Sequence, residues 1–158
     1  MTTMVVVASK HGSTAEIGEH IASTLKNKGV SAHVKDVSEA GQWLYETDNV
    51  VLGIPVYREK LWGPAMMFLD AHRTELGGKP LFLFASGGGP SLKPELAETL
   101  RSYPHREVAY FRGAIDAEKL SFFEKLQLKV AKAPENADFR DWPGIEDWSG
   151  SLIAYGLS

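Results

Sequence analysis

No cysteine occurs among the 158 residues. That removes disulfides, thiolate metal sites and cysteine nucleophiles together, and it leaves no mark of an oxidising compartment. No apolar run reaches the roughly 20 residues that a bilayer crossing requires. The opening MTTMVVVASK has neither the basic region nor the long apolar stretch of a secretory signal. Positive charge is not in excess either: 17 Lys and Arg face 20 Asp and Glu, a formal net charge of -3. A basic surface is what nonspecific nucleic-acid binding needs, so no nucleic-acid partner is expected. The five histidines, His11, His20, His33, His72 and His105, show no metal-ligand spacing with a carboxylate partner. Two nucleotide signatures are also missing. The P-loop pattern is absent, and the turn after the first strand holds only Gly12 where a dinucleotide fingerprint needs three glycines. A cytoplasmic protein without a metal is the expectation.

What is present is a sequence that is 44% hydrophobic and 23% charged, suited to one domain over residues 1–158. It has no repeat, low-complexity tract or linker. Apolar periodicity switches back and forth along it. Residues 4–8 form a short β-branched run, read as a buried strand. Residues 14–28 place Ile17, Ile21 and Leu25 at helical steps, with Gly29 as the stop. Val30, Ala32 and Val34 alternate as a second strand. Residues 49–55 give a third, and Pro64 opens a helix carrying Ala65, Phe68, Leu69 and Leu76. Residues 81–85 give a fourth strand, then comes a helix with Leu96 and Leu100, and residues 108–115 give a fifth strand. Two helical patterns finish the chain. One carries Leu120, Phe123, Leu126 and Val130; the other starts near Pro143 and carries Ile145, Trp148, Leu152 and Tyr155, beyond a loop at residues 132–144. Strands alternating with helices imply a parallel sheet covered on both faces.

Ligands of such sheets sit beyond the carboxyl ends of the strands. Three turns gather there: SKHGST (residues 9–14), PVYREKLWG (55–63) and SGGGPS (86–91). The first runs into a helix N-terminus, where amide donors and the helix dipole suit an anion. Ser9, Ser13 and Thr14 add hydroxyls, Lys10 adds charge, Gly12 permits close approach, and the amide of His11 faces the same way. Ser and Thr also cap helices routinely; two further ligand-shaped turns on the same edge favour the anion grip. In the second turn Tyr57 and Trp62 offer flat surfaces for a ring, or else cover the core beside Pro64. Arg58 and Glu59 gate the pocket or are plain solvated charges. In the third, Gly87, Gly88 and Gly89 can bring main chain against a ligand where side chains would clash. The stretch from Arg112 to Lys132, with Phe122 and Phe123, is a core-covering helix or an amphipathic surface for a membrane or partner.

Ser9-Lys10-His11-Gly12-Ser13-Thr14 resembles the flavodoxin phosphate loop, Ser/Thr-x-Ser/Thr-Gly-x-Thr, and departs from it at His11. VVLGIPVYREKLWGPAMMFL resembles the next flavodoxin segment. GAIDAEKLSFFEKL and DFRDWPGIEDWSGSLI resemble the flavodoxin-domain branch that includes menaquinone-dependent protoporphyrinogen oxidase. The resemblance runs nearly end to end. It implies a flavodoxin-like, doubly wound, five-stranded parallel sheet of order 2-1-3-4-5, with helices on both faces. It implies noncovalent FMN, with the phosphate at Ser9 through Thr14. The isoalloxazine would lie between Pro55, Val56, Tyr57, Arg58 and Trp62 on one side and Ser86, Gly87, Gly88 and Gly89 on the other. The chemistry would belong to the cofactor, so no catalytic acid or base is assigned. An oxidoreductase is expected, with a redox partner protein or a quinone, a small-molecule substrate, and a possible peripheral membrane contact. Alternatives are a flavodoxin-type electron shuttle and a flavin-free binding or regulatory domain.

Overall fold

The computed structural model describes residues 2–7, 12–115 and 137–158. Strand β1 (Thr3–Val7) is buried at every position, in keeping with the unalternated apolar run from Met4 to Val7. It pairs in parallel with β2 (Ala32–Asp36) on one side and β3 (Asn49–Tyr57) on the other. β3 pairs in parallel with β5 (Leu81–Gly87), and β5 with β6 (Glu107–Arg112). The order is β2-β1-β3-β5-β6. Counting only these five parallel strands, that is the expected 2-1-3-4-5. The extra strand is β4 (Lys60–Leu61), antiparallel to the end of β3.

Alternate residues on the central strands feed two cores. Met4 and Val6 of β1, Leu52 and Ile54 of β3, and Leu83 of β5 face α3 (Gly63–Ala71), α4 (Arg73–Gly77) and α5 (Pro94–Arg101). α2 (Val37–Ala40) lies on this face through Ala40. Val5, Val7, Val51, Phe82 and Phe84 face α1 (Ser13–Asn27) and α6 (Trp142–Ser151). Gly18 lets α1 sit close on β1, since a Cβ there would collide with Val7 Cγ1. Phe84 is fully buried, and truncating it to Ala would cost about 3–5 kcal/mol.

Several expectations are corrected. The helix opened by Pro64 does not run through Leu76: it ends at His72 (φ -114°, ψ 23°), and Leu76 is buried from the separate α4. The third strand continues to Tyr57, so Val56 and Tyr57 are strand rather than turn residues. The fifth strand does not run unbroken through Ile115. β5 offers its last ladder partner at Gly87, opposite Arg112, so pairing ends there. β7 (Ala114–Ile115) joins β8 (Ala137–Asp138) in a separate antiparallel pair, and β8 lies inside the stretch expected to be loop. α6 starts as expected at the Trp142-Pro143 step, capped by Asp141 accepting from Gly144 N–H at 3.1 Å. Ala8 and the helix expected from Leu120 to Val130 lie outside the described residues, as does the surface proposed around Phe122.

Candidate functional site

The carboxyl ends of β1, β3 and β5 lie side by side, so their turns meet at one edge. Of the first turn, Ser9, Lys10 and His11 lie outside the described residues; Gly12, Ser13 and Thr14 are within them. Gly12 is the N-cap of α1 with φ 86°, a left-handed conformation that glycine adopts freely. The helix ladder begins with Glu16 N–H donating to Gly12 O at 2.9 Å. The amides of Ser13, Thr14 and Ala15 thus precede the ladder, and Gly12 has no side chain to receive them. That leaves the positive end of a 15-residue helix directed at this edge. A Cβ added to Gly113 would sit 2.9 Å from Ser13 Oγ and 3.0 Å from Ser86 Oγ, so two hydroxyls from different elements converge on one glycine. Ser86 and Thr14 are buried.

The second turn is a two-residue hairpin. Tyr57 pairs with Lys60, leaving Arg58 and Glu59 as the loop, at φ 51° and 61°. Both positive angles are what a type I′ turn demands, and such turns favour Asn-Gly. Two non-glycine residues held there store about 1–2 kcal/mol of strain each. Trp62 N–H donates to Pro55 O at 2.9 Å and closes the base of the hairpin. The Trp62 ring is half-buried and packs against the core cluster with Val56, Leu61 and Met66.

The third turn is held by its carbonyls. Gly113 N–H donates to Gly87 O at 2.7 Å, Arg112 Nε to Gly88 O at 3.1 Å, and the Tyr110 hydroxyl to Gly89 O at 2.6 Å. No peptide among the described residues is cis, so the N–H groups of Gly88 and Gly89 point the opposite way from the carbonyls of Gly87 and Gly88, away from β6. Burial pushes the Tyr110 hydroxyl above its usual range, with Arg112 pulling the other way. The Arg112 guanidinium also lies 3.6 Å from the Phe139 ring centroid. Lys93 Nζ meets Glu59 Oε2 at 2.9 Å and links the third turn to the hairpin.

Sequence reasoning missed Tyr110 and Arg112. Their signal was available: alternate residues on the fifth strand, beside a glycine run on its neighbour. It also missed Arg140. That side chain, only 12% exposed, donates through Nε and Nη2 to Asp138 at 2.9 and 2.7 Å and through Nη1 to Glu16 in the first turn of α1. Arg140 holds the Asp138 carboxyl down at about 2, and both carboxylates raise the Arg140 guanidinium. Nothing local marks a partner 124 positions away.

The family model described as Flavodoxin domain matches residues 4–140. The chain belongs to the flavodoxin domain family. Membership of that family indicates FMN binding. The chain is also similar to protoporphyrinogen IX dehydrogenase (quinone) of Escherichia coli strain K12, at 32% identity over 82 residues. That alignment covers 51% of this chain and 45% of the relative, so it spans less than half of the relative's length. A flavodoxin from Streptococcus pneumoniae TIGR4 superposes with a TM-score of 0.65 at 18% identity, covering 98% of this chain and 99% of that one. Oxidised Flavodoxin 1 from Bacillus cereus superposes with a TM-score of 0.64 at 18% identity over 100% of both chains. These two likenesses are of fold.

The residues fit an FMN of the flavodoxin kind at both ends. At the α1 start, where a phosphate would be held, a glycine N-cap lies beside the Ser13 hydroxyl, and a Cβ on Gly113 would fill the space between Ser13 and Ser86. Where a ring would lie, the strand ends are adjacent, Pro55 beside Ser86, with no side chain on Gly87 to narrow the gap: a Cβ there would lie 3.1 Å from Val56 Cβ. Among the described residues no group of His, Cys, Asp or Glu could hold a metal ion, and no helix is long and apolar enough to cross a membrane.

Proposed function

We propose that this flavodoxin-family chain is an FMN-dependent oxidoreductase that takes electrons from a small-molecule substrate and passes them to a quinone or a redox partner. The phosphate would be held by residues 9–14. The isoalloxazine would lie between Pro55, Val56, Tyr57, Arg58 and Trp62 and residues 86–89. The carrying observation is the meeting at one sheet edge of an α1 start whose N-cap is the left-handed Gly12, the Ser13 and Ser86 hydroxyls, and the fixed glycine turn. FMN supplies the hydride and electron transfer when bound. The chain's own part is binding and orientation. The α1 amides and hydroxyls fix the phosphate. The Gly88 and Gly89 amides, set by Tyr110 and Arg112, offer fixed donors to the ring edge. Trp62, anchored on the core, stiffens the facing wall.

A dehydrogenase is favoured over a shuttle by the charge at the mouth. The hairpin and the loop leading to α5 carry Arg58, Lys60 and Lys93 against Glu59, a positive rim on a chain of net charge -3. Shuttles that dock on basic partners present the opposite sign. The likeness to a quinone-linked protoporphyrinogen dehydrogenase points the same way. The test is a titration of the purified apoprotein with FMN, followed by anaerobic assays with protoporphyrinogen and a quinone. Quenching of flavin fluorescence and quinone-dependent substrate oxidation are expected. Absence of quenching overturns the flavoprotein reading; quenching without oxidation of protoporphyrinogen removes only that substrate.

A further inference from the structure

Glu16 sits in the first turn of α1, at the end of the helix that carries the phosphate donors. A carboxylate there favours the isolated helix, but it opposes an anionic ligand at the same terminus. Arg140 meets this carboxylate from β8's side of the fold. Its guanidinium is preorganised: Asp138 takes Nε and Nη2, accepts the Arg140 backbone N–H at 3.0 Å as well, and leaves Nη1 aimed at Glu16. The Trp142 ring lies 4.7 Å from the guanidinium carbon. This degree of fixation exceeds what an incidental surface pair shows, since exposed pairs are mobile and nearly neutral in energy.

We infer that Arg140 is a positioning residue for the phosphate end of the site: it ties the first turn of α1 to β8 and offsets the Glu16 charge at the terminus that would take a phosphate dianion. The inference rests on the FMN reading above and deepens it. It separates two roles of one side chain. A mere latch would matter equally to any flavin and would be lost whichever partner is removed. A charge mask matters only to a ligand that carries phosphate, and it becomes unnecessary once Glu16 is neutral.

The test compares FMN with riboflavin, which lacks the phosphate, by fluorescence titration of wild type, Arg140→Gln, Glu16→Gln and the double variant. Arg140→Gln is expected to weaken FMN binding by about tenfold, with the riboflavin affinity unchanged. Glu16→Gln is expected to bind FMN at least as tightly as wild type, and the double variant to recover most of the loss. Equal loss for both flavins, or a double variant no better than Arg140→Gln, overturns the inference. Should Arg140→Gln fail to fold, Glu16→Gln decides alone: a tenfold weaker FMN affinity in that variant would contradict a charge mask. A wild type that binds no FMN brings down the functional reading itself, whereas a wild type that binds FMN beside an unaffected Arg140→Gln brings down only the inference.

Discussion

Gly113→Ala places a methyl carbon 2.9 Å from Ser13 Oγ and 3.0 Å from Ser86 Oγ, with Gly87 O at 3.6 Å. Ordinary contact is longer, so both hydroxyls must turn away or the chain after β6 must shift. A shift is resisted by the 2.7 Å bond from Gly113 N–H to Gly87 O, so rotation of the serines is the cheaper response. Overpacking of this kind costs about 1–3 kcal/mol, and the low end applies because small side chains can move. The ligand consequence is larger than the stability loss: two donors are re-aimed at once, and FMN affinity should fall by about tenfold or more. Urea unfolding measures the first effect and FMN fluorescence quenching the second. Adding Ser13→Ala to the variant removes one clash, so stability should recover non-additively while FMN binding stays weak. Wild-type FMN affinity in Gly113→Ala would refute the placement of the phosphate beside the Ser13 hydroxyl.

Other expected outcomes are open to simple measurement. Tyr110→Phe removes the donor to Gly89 O and should cost about 1 kcal/mol in urea unfolding. Burial raises the Tyr110 hydroxyl above its usual range, so its contribution to stability is complete below the ordinary tyrosine pKa of about 10 and is lost as pH rises through the higher folded value; the alkaline ultraviolet titration should lose one late-ionising tyrosine in the same variant. The double substitution Arg58→Asn with Glu59→Gly gives the hairpin residues suited to positive φ and should raise stability by about 1 kcal/mol, net of the exposed Lys93 pair. Asp138 is depressed to about 2, so its stabilisation is present above the ordinary carboxyl range and disappears as pH falls toward 2; acid unfolding of Asp138→Asn should begin from a lower stability at pH 5 and converge with wild type near pH 2.

How much of this was legible follows from the range of each signal. Strand order and helix faces depend on periodicity, and the steps Ile17, Ile21 and Leu25 and the buried runs of β1, β3 and β5 carry it plainly. The hairpin at Arg58-Glu59 was missed because its turn residues are the wrong ones for its geometry; tertiary fixation holds them where local preference would not. The break at His72 was missed because Leu76 keeps the helical spacing on both sides of it. The split after Arg112 is a property of the neighbouring strand, which ends at Gly87, and no pattern within residues 107–115 reports it. Of the site, the turns and glycines were readable as positions, while the side chains that hold them were not. Tyr110 and Arg112 act through carbonyls on another strand, and Arg140 acts through Glu16 across the fold.

The claim that the start of α1 grips a phosphate monoester is tested most directly by the phosphorus NMR spectrum of FMN bound to the wild-type protein. A free monoester titrates near pH 6, at its second pKa of about 6. Held by amides and hydroxyls as a buried dianion, the bound phosphate should give a single displaced resonance whose position does not change from pH 5 to 8. A resonance that moves with pH as free FMN does would contradict the account.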